Sequence, residues 1–110
     1  MTPCTRLQDS CARTAAAVSL LLAATSAPAA DTESEQLVGA IDAVVFVCAR
    51  VDARSAKVGL ELLENLSAQR KLDVPALRKT DAYKSMYNSE TNRLLSLAAR
   101  ERLAACKSAW

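Results

Sequence analysis

The sequence predicts an all-α protein, a small helical bundle of three to five helices closed by one disulfide. Three observations predict it. The chain is rich in Ala and Leu and holds only two glycines and three prolines. Ala and Leu lose little on entering a helix, so that composition favours helix over sheet. Apolar residues recur at spacings of three and four along most of the chain beyond residue 30, which is the period of a helix with one covered face. Finally, only Cys48 and Cys106 remain once an N-terminal leader is set aside, and two cysteines have one intramolecular pairing.

The leader comes first. Residues 1–29 read as a secretory signal peptide, and residues 30–110 as a single helical domain. Arg6 and Arg13 make a positive start, Ala15–Ala24 is an apolar core, and Ala27-Pro28-Ala29 supplies the small-x-small cleavage pattern. Cleavage is expected after Ala29, with Ala27 the second choice. The competing reading is a transmembrane helix, but the apolar core would span only about half of a ~30 Å hydrocarbon layer. Cys4 and Cys11 lie upstream of that core, where a lipoprotein cysteine would not sit. The expectation is a bacterial protein, periplasmic or secreted, with no stable membrane anchor after cleavage.

Cleavage removes Arg6, Arg13 and Asp9, leaving twelve basic and eleven acidic residues. That balance gives no reason to expect nucleic acid as a partner. In an oxidising compartment Cys48 and Cys106 are expected to join as a structural disulfide. Two free thiols or an intermolecular bond are the alternatives. The bridge would tie helix one to the last helix and contribute about 4 kcal/mol in the chain-entropy account. A domain of this size needs that help, since its core alone rarely supplies more than about 3–5 kcal/mol.

Helix one is expected to begin near Thr32, where Thr32 and Glu35 have capping-box spacing and Asp31, Glu33 and Glu35 suit the positive end of the helix dipole. Leu37, Ile41, Val44, Val45, Cys48 and Val51 form its apolar stripe, widened by Val38, Phe46 and Val47. A strand across Ala43–Ala49 is the competing local reading. Asp52 is the expected cap of a second helix running to about Gln69, with Val58, Leu62, Leu63 and Leu66 inward and Gly59 at a close approach between helices. Gln69–Asp73 reads as a polar connection. Pro75 suits the first turn of a third helix, and Thr80 with Asp81 can restart a helix carrying Tyr83, Met86 and Tyr87. Asn88–Asn92 is the expected joint, followed by a final stripe of Leu94, Leu95, Ala98, Leu103 and Cys106. Periodicity leaves open whether the last stretch is one bent helix or two.

The chemistry-bearing residues are few. The chain has no histidine, which removes the commonest metal ligand and the commonest general base near neutral pH. Two isolated glycines build no phosphate loop, and the carboxylates never cluster at ligand spacing. The expectation is therefore no enzyme, no cofactor and no metal. Glu61 and Glu64 read as a solvated helix face. Arg100, Arg102 and Lys107 read as a basic helix end. Asn65-Leu66-Ser67 matches a glycosylation sequon, but within a predicted helix. Tyr83, Tyr87 and Trp110 are the candidate partner contacts, with core packing and a folded-back C-terminus as their structural alternatives.

Ile41-Asp42-Ala43-Val44-Val45 followed by Cys48, then Val51-Asp52, Asp81-Ala82-Tyr83 and Ala104-Ala105-Cys106, make the region 37–106 similar to a loose group of small exported proteobacterial proteins without assigned function. The resemblance implies the same two-cysteine helical design and brings no activity with it. The functional expectation is a non-enzymatic exported helical module that binds an unidentified protein partner. A periplasmic chaperone-like or pilotin-like factor and a carrier of a small apolar ligand are the alternatives.

Overall fold

Local chemistry shapes each helix end in the computed structural model, which describes residues 32–110. The signal-peptide reading of residues 1–29 lies outside the described residues. The Ala43–Ala49 strand does not form; residues 32–48 are helical and form α1. Its last carbonyls are consumed in a tight turn. The amides of Val51 and Asp52 both donate to the Cys48 carbonyl, at 3.0 and 2.7 Å.

Helix α2 is Ala53–Arg70. Asp52 stands at its N-cap in extended conformation, but its side chain makes no capping hydrogen bond, so the expected cap holds by position and not by chemistry. The helix ends at Lys71, a left-handed residue whose amide donates to the Ser67 carbonyl. Leu72 then turns inward onto the core. The connection expected to be polar therefore contributes an apolar anchor.

Helix α3, Val74–Leu77, is capped by Asp73, whose carboxylate accepts from the Ala76 amide. Pro75 sits in its first turn, where a missing N–H costs nothing. Thr80 links the next two elements through one hydroxyl. Its Oγ1 donates to the Leu77 carbonyl at 2.8 Å and accepts from the Tyr83 amide at 3.3 Å.

Helix α4 is Asp81–Ser96 and α5 is Ala99–Lys107. The joint expected at Asn88–Asn92 is absent; α4 runs straight through it. Asn88, Ser89 and Asn92 are exposed, so their polarity marks a solvated face, and Glu90 pairs with Arg93 one turn later at 2.9 Å. The break falls at Leu97 and Ala98, both extended. Arg102 holds it. Its guanidinium donates to the carbonyls of Leu94, Leu95 and Leu97 at 3.1, 2.9 and 2.9 Å, satisfying the orphan acceptors at the end of α4. The stretch after Pro75 is thus three helices.

Val38, Ile41 and Leu63 form the centre of the core, with Leu37, Val45, Leu62, Leu66, Leu72, Val74, Leu77 and Tyr83 around it. Cys48 and Cys106 are joined, with Cα atoms 5.6 Å apart, and are 0% and 1% exposed. The bridge ties α1 to α5, as expected, and Leu94 and Val47 are also buried. Gly59 is the close approach the sequence suggested. A Cβ there would stand 2.6 Å from Val45 Cγ2 and 2.6 Å from Trp110 Cζ2. Gly39 is a second, unforeseen one, where a Cβ would stand 2.7 Å from the Tyr83 carbonyl oxygen.

Five residues assigned to apolar stripes point outward instead. Phe46, Val58, Leu95, Ala98 and Leu103 are exposed. Each stripe is wider than the neighbouring helix that covers it, so the residues at its margin stay in solvent. Among the described residues, no helix is long and apolar enough to cross a membrane.

Candidate docking surface

Along the seam between α1 and α4 runs a row of aromatic rings. Tyr83 and Tyr87 stack with centroids 5.9 Å apart. Tyr87 in turn meets Phe46 at 6.2 Å, with the rings tilted by 51°. Helical spacing explains the line along α4: Tyr83, Tyr87, Thr91 and Leu95 follow at intervals of four. From Phe46 the surface continues into a groove of about 340 Å³ lined by Phe46, Val47, Arg50, Val51, Leu95 and Arg102. Phe46 is 57% exposed and Leu95 50%. Both are large apolar side chains held in water on the same groove, the kind of exposure that marks an interaction site when it is contiguous.

The far end of the row is pinned. Asp42 accepts from Arg78 Nε at 2.9 Å and Nη2 at 3.1 Å, and from the Tyr83 hydroxyl at 2.5 Å. These bonds join α1 to the end of α3 and to the start of α4, across 36 and 41 residues of sequence. Burial, followed by the hydrogen bond to Asp42 and its charge, pushes the Tyr83 phenol up to about 12. The Arg78 guanidinium is held above its ordinary value, chiefly by the hydrogen bond to Asp42. Tyr83 is therefore a fixed, protonated ring that orients its neighbour Tyr87.

The structure thus brings Tyr83 and Tyr87 together, as two of the three candidate contacts, and adds Phe46 and Leu95. Sequence reasoning placed these last two in the core, because periodicity cannot distinguish the covered part of a stripe from its margin. Trp110 lies elsewhere. Its Nε1 donates to the Ser55 carbonyl at 2.8 Å and to Ser55 Oγ at 3.1 Å, while its ring covers Gly59. Ser55 Oγ in turn donates to the Cys106 carbonyl at 2.6 Å. The C-terminus folds back as a clasp on α2, so Trp110 belongs to the folded structure and not to the aromatic row.

Other features are poorer in chemistry. Glu61 and Glu64 are exposed on the outer side of α2. No group of three or more His, Cys, Asp or Glu among the described residues is placed to hold a metal. A cavity of about 420 Å³ beside Trp110 is lined by charges of both signs, Asp52, Arg54 and Lys107 among them. Another of about 400 Å³ lies between α2 and Val74. Neither joins the aromatic row. No protein family, curated protein or solved structure matches this chain, so the functional reading rests on this surface.

Proposed function

We propose that the chain is a non-enzymatic, exported helical module that binds a protein partner through the Phe46–Leu95 groove and the adjoining row of Tyr87 and Tyr83. The observation that carries this reading is the shared exposure of Phe46 and Leu95 on one groove, 57% and 50%. Burying such rings at an interface releases water from apolar surface at about 25 cal/mol per Å², and aromatic residues are the usual anchors of such sites. The disulfide supports export to the periplasm or the medium, because such bridges persist in oxidising compartments. The kinship with small exported proteobacterial proteins belongs to the same proposal.

A photo-crosslinking side chain at position 46, expressed in the native host, tests the reading. A discrete adduct at position 46 is expected, absent when the probe is moved to the exposed position 61 and lost on Leu95→Lys. Equal labelling from both positions, or none, would refute it.

A second reading has one observation in its favour. The groove, at about 340 Å³, falls within the ~300–1,000 Å³ range of small-molecule sites. A carrier of a small apolar ligand would then be expected to retain that ligand in native mass spectrometry, and Phe46→Ser would abolish the retention.

A further inference from the structure

The groove has a charge as well as a shape. Arg50 makes no hydrogen bond or ion pair among the described residues, and Arg102 spends its donors on main-chain carbonyls, so neither positive charge meets a carboxylate. The acidic groups beside the row are already paired, Asp42 with Arg78 and Glu90 with Arg93. The apolar strip therefore ends in two uncompensated positive charges. We infer that its occupant is an amphipathic helix of a partner protein, apolar on one side and carrying an aspartate or glutamate that faces Arg50 and Arg102. This rests on the reading of the Phe46 groove as a docking surface.

Three considerations select that occupant. A second copy of this chain docking by the same face would bring Arg50 and Arg102 to the same two arginines and to a row whose neighbouring carboxylates, Asp42 and Glu90, are already paired, so charge opposes self-association. A small amphiphile would fill the groove but leave the row bare. From Tyr83 to Leu95 the strip runs about 18 Å along α4 at about 1.5 Å per residue, the length of three to four helical turns. A peptide that docks by adding a strand needs a sheet edge. The described residues contain no strand, so that mode is closed, whereas a helix satisfies its own backbone and turns only side chains to the strip.

Selection of random phage-displayed peptides of about fifteen residues, long enough for four turns, on the full chain tests the inference. Peptides lost on Phe46→Ser are kept. They are expected to carry large apolar residues at helical spacing together with Asp or Glu, and to turn helical on binding. Their affinity should fall about five-fold or more on Arg50→Glu and weaken with added salt, as for a rim charge at an interface. Arg50 makes no hydrogen bond or ion pair in the described fold, so this variant should stay folded and lower the thermal midpoint by only a few degrees, through its charge beside the negative end of α1. Phe46-dependent peptides that are neutral or basic, or that are indifferent to Arg50→Glu, would overturn the inference and leave the docking surface standing. Arg50 would then serve only the negative end of α1. If no peptide depends on Phe46, both readings fail. Titration with dodecanoate separates the remaining case: Phe46-dependent binding of that probe without any enriched peptide assigns the groove to a small amphiphile and also overturns the inference.

Discussion

Replacing Gly39 by alanine sets two opposing effects against each other at the α1–α4 contact. Gly39 lies inside α1, where alanine is favoured over glycine by about 1 kcal/mol. Propensity alone therefore predicts a more stable protein. The structure predicts the reverse. The new Cβ would stand 2.7 Å from the Tyr83 carbonyl oxygen and 3.3 Å from Met86 Cβ. Ordinary contact begins near 3.4 Å, so α1 and α4 would have to separate by about 0.7 Å. The obstructing atom is main chain, inside a helix tied to α1 by the Asp42–Tyr83 hydrogen bond, and it cannot swing aside. Overpacking costs about 1–3 kcal/mol, and a clash with main chain falls in the upper part of that range, about 2–3 kcal/mol. With about 1 kcal/mol of helix preference set against it, Gly39→Ala should destabilise by about 1–2 kcal/mol net. With a urea slope near 1 kcal/mol per molar for so small a domain, the unfolding midpoint should drop by about 1–2 M. Circular dichroism in urea reads it. Gly59→Ala is the internal comparison. There the new Cβ meets only side-chain atoms, Val45 Cγ2 and the Trp110 ring, which can shift without displacing a helix backbone. It should cost less than Gly39→Ala and should shift the Trp110 emission. A midpoint for Gly39→Ala equal to or above the parent's would show that the contact is not tight, and the reasoning would fail.

Two further outcomes follow from the same geometry. Removing the bridge with Cys48→Ala and Cys106→Ala frees a loop of 58 residues, which costs about 4 kcal/mol in the chain-entropy account. Equilibrium unfolding should register a loss of at least about half that, and an unchanged midpoint would mean that the buried pair adds nothing. For Tyr83, the phenol is raised to about 12 in the folded state, so the folded protein holds that proton more tightly than the unfolded chain. Its contribution is full below about pH 10, the ordinary phenol value, and is lost as the pH rises through about 12. A phenolate absorbance titration should show one high-titrating tyrosine that returns towards the ordinary range in Asp42→Asn. Were all phenols to titrate normally in the parent, the Asp42–Tyr83 bond would be refuted.

Much of this molecule is written in short stretches of sequence. Asp73 before Pro75, and Thr80 before Asp81, mark helix starts because a cap involves groups within one turn, all specified locally. The all-helical class follows from composition and period for the same reason. The pairing of Cys48 with Cys106 is the one intramolecular pairing that residues 30–110 allow. Gly59 signals a close approach because a glycine inside a helix is otherwise unfavourable. The tertiary structure decided what depends on a neighbour far along the chain. Asn88–Asn92 reads as a joint, yet the break sits at Leu97, where Arg102 reaches back from α5 to take the free carbonyls. Asp42 looks like any helical carboxylate until Arg78 and Tyr83 arrive from α3 and α4. Phe46 and Leu95 obey the same periodicity as their buried neighbours. Periodicity records which way a side chain faces around its own axis, whereas exposure depends on how far the next helix extends across that face. The candidate docking surface is the part of the apolar face that the other helices leave uncovered.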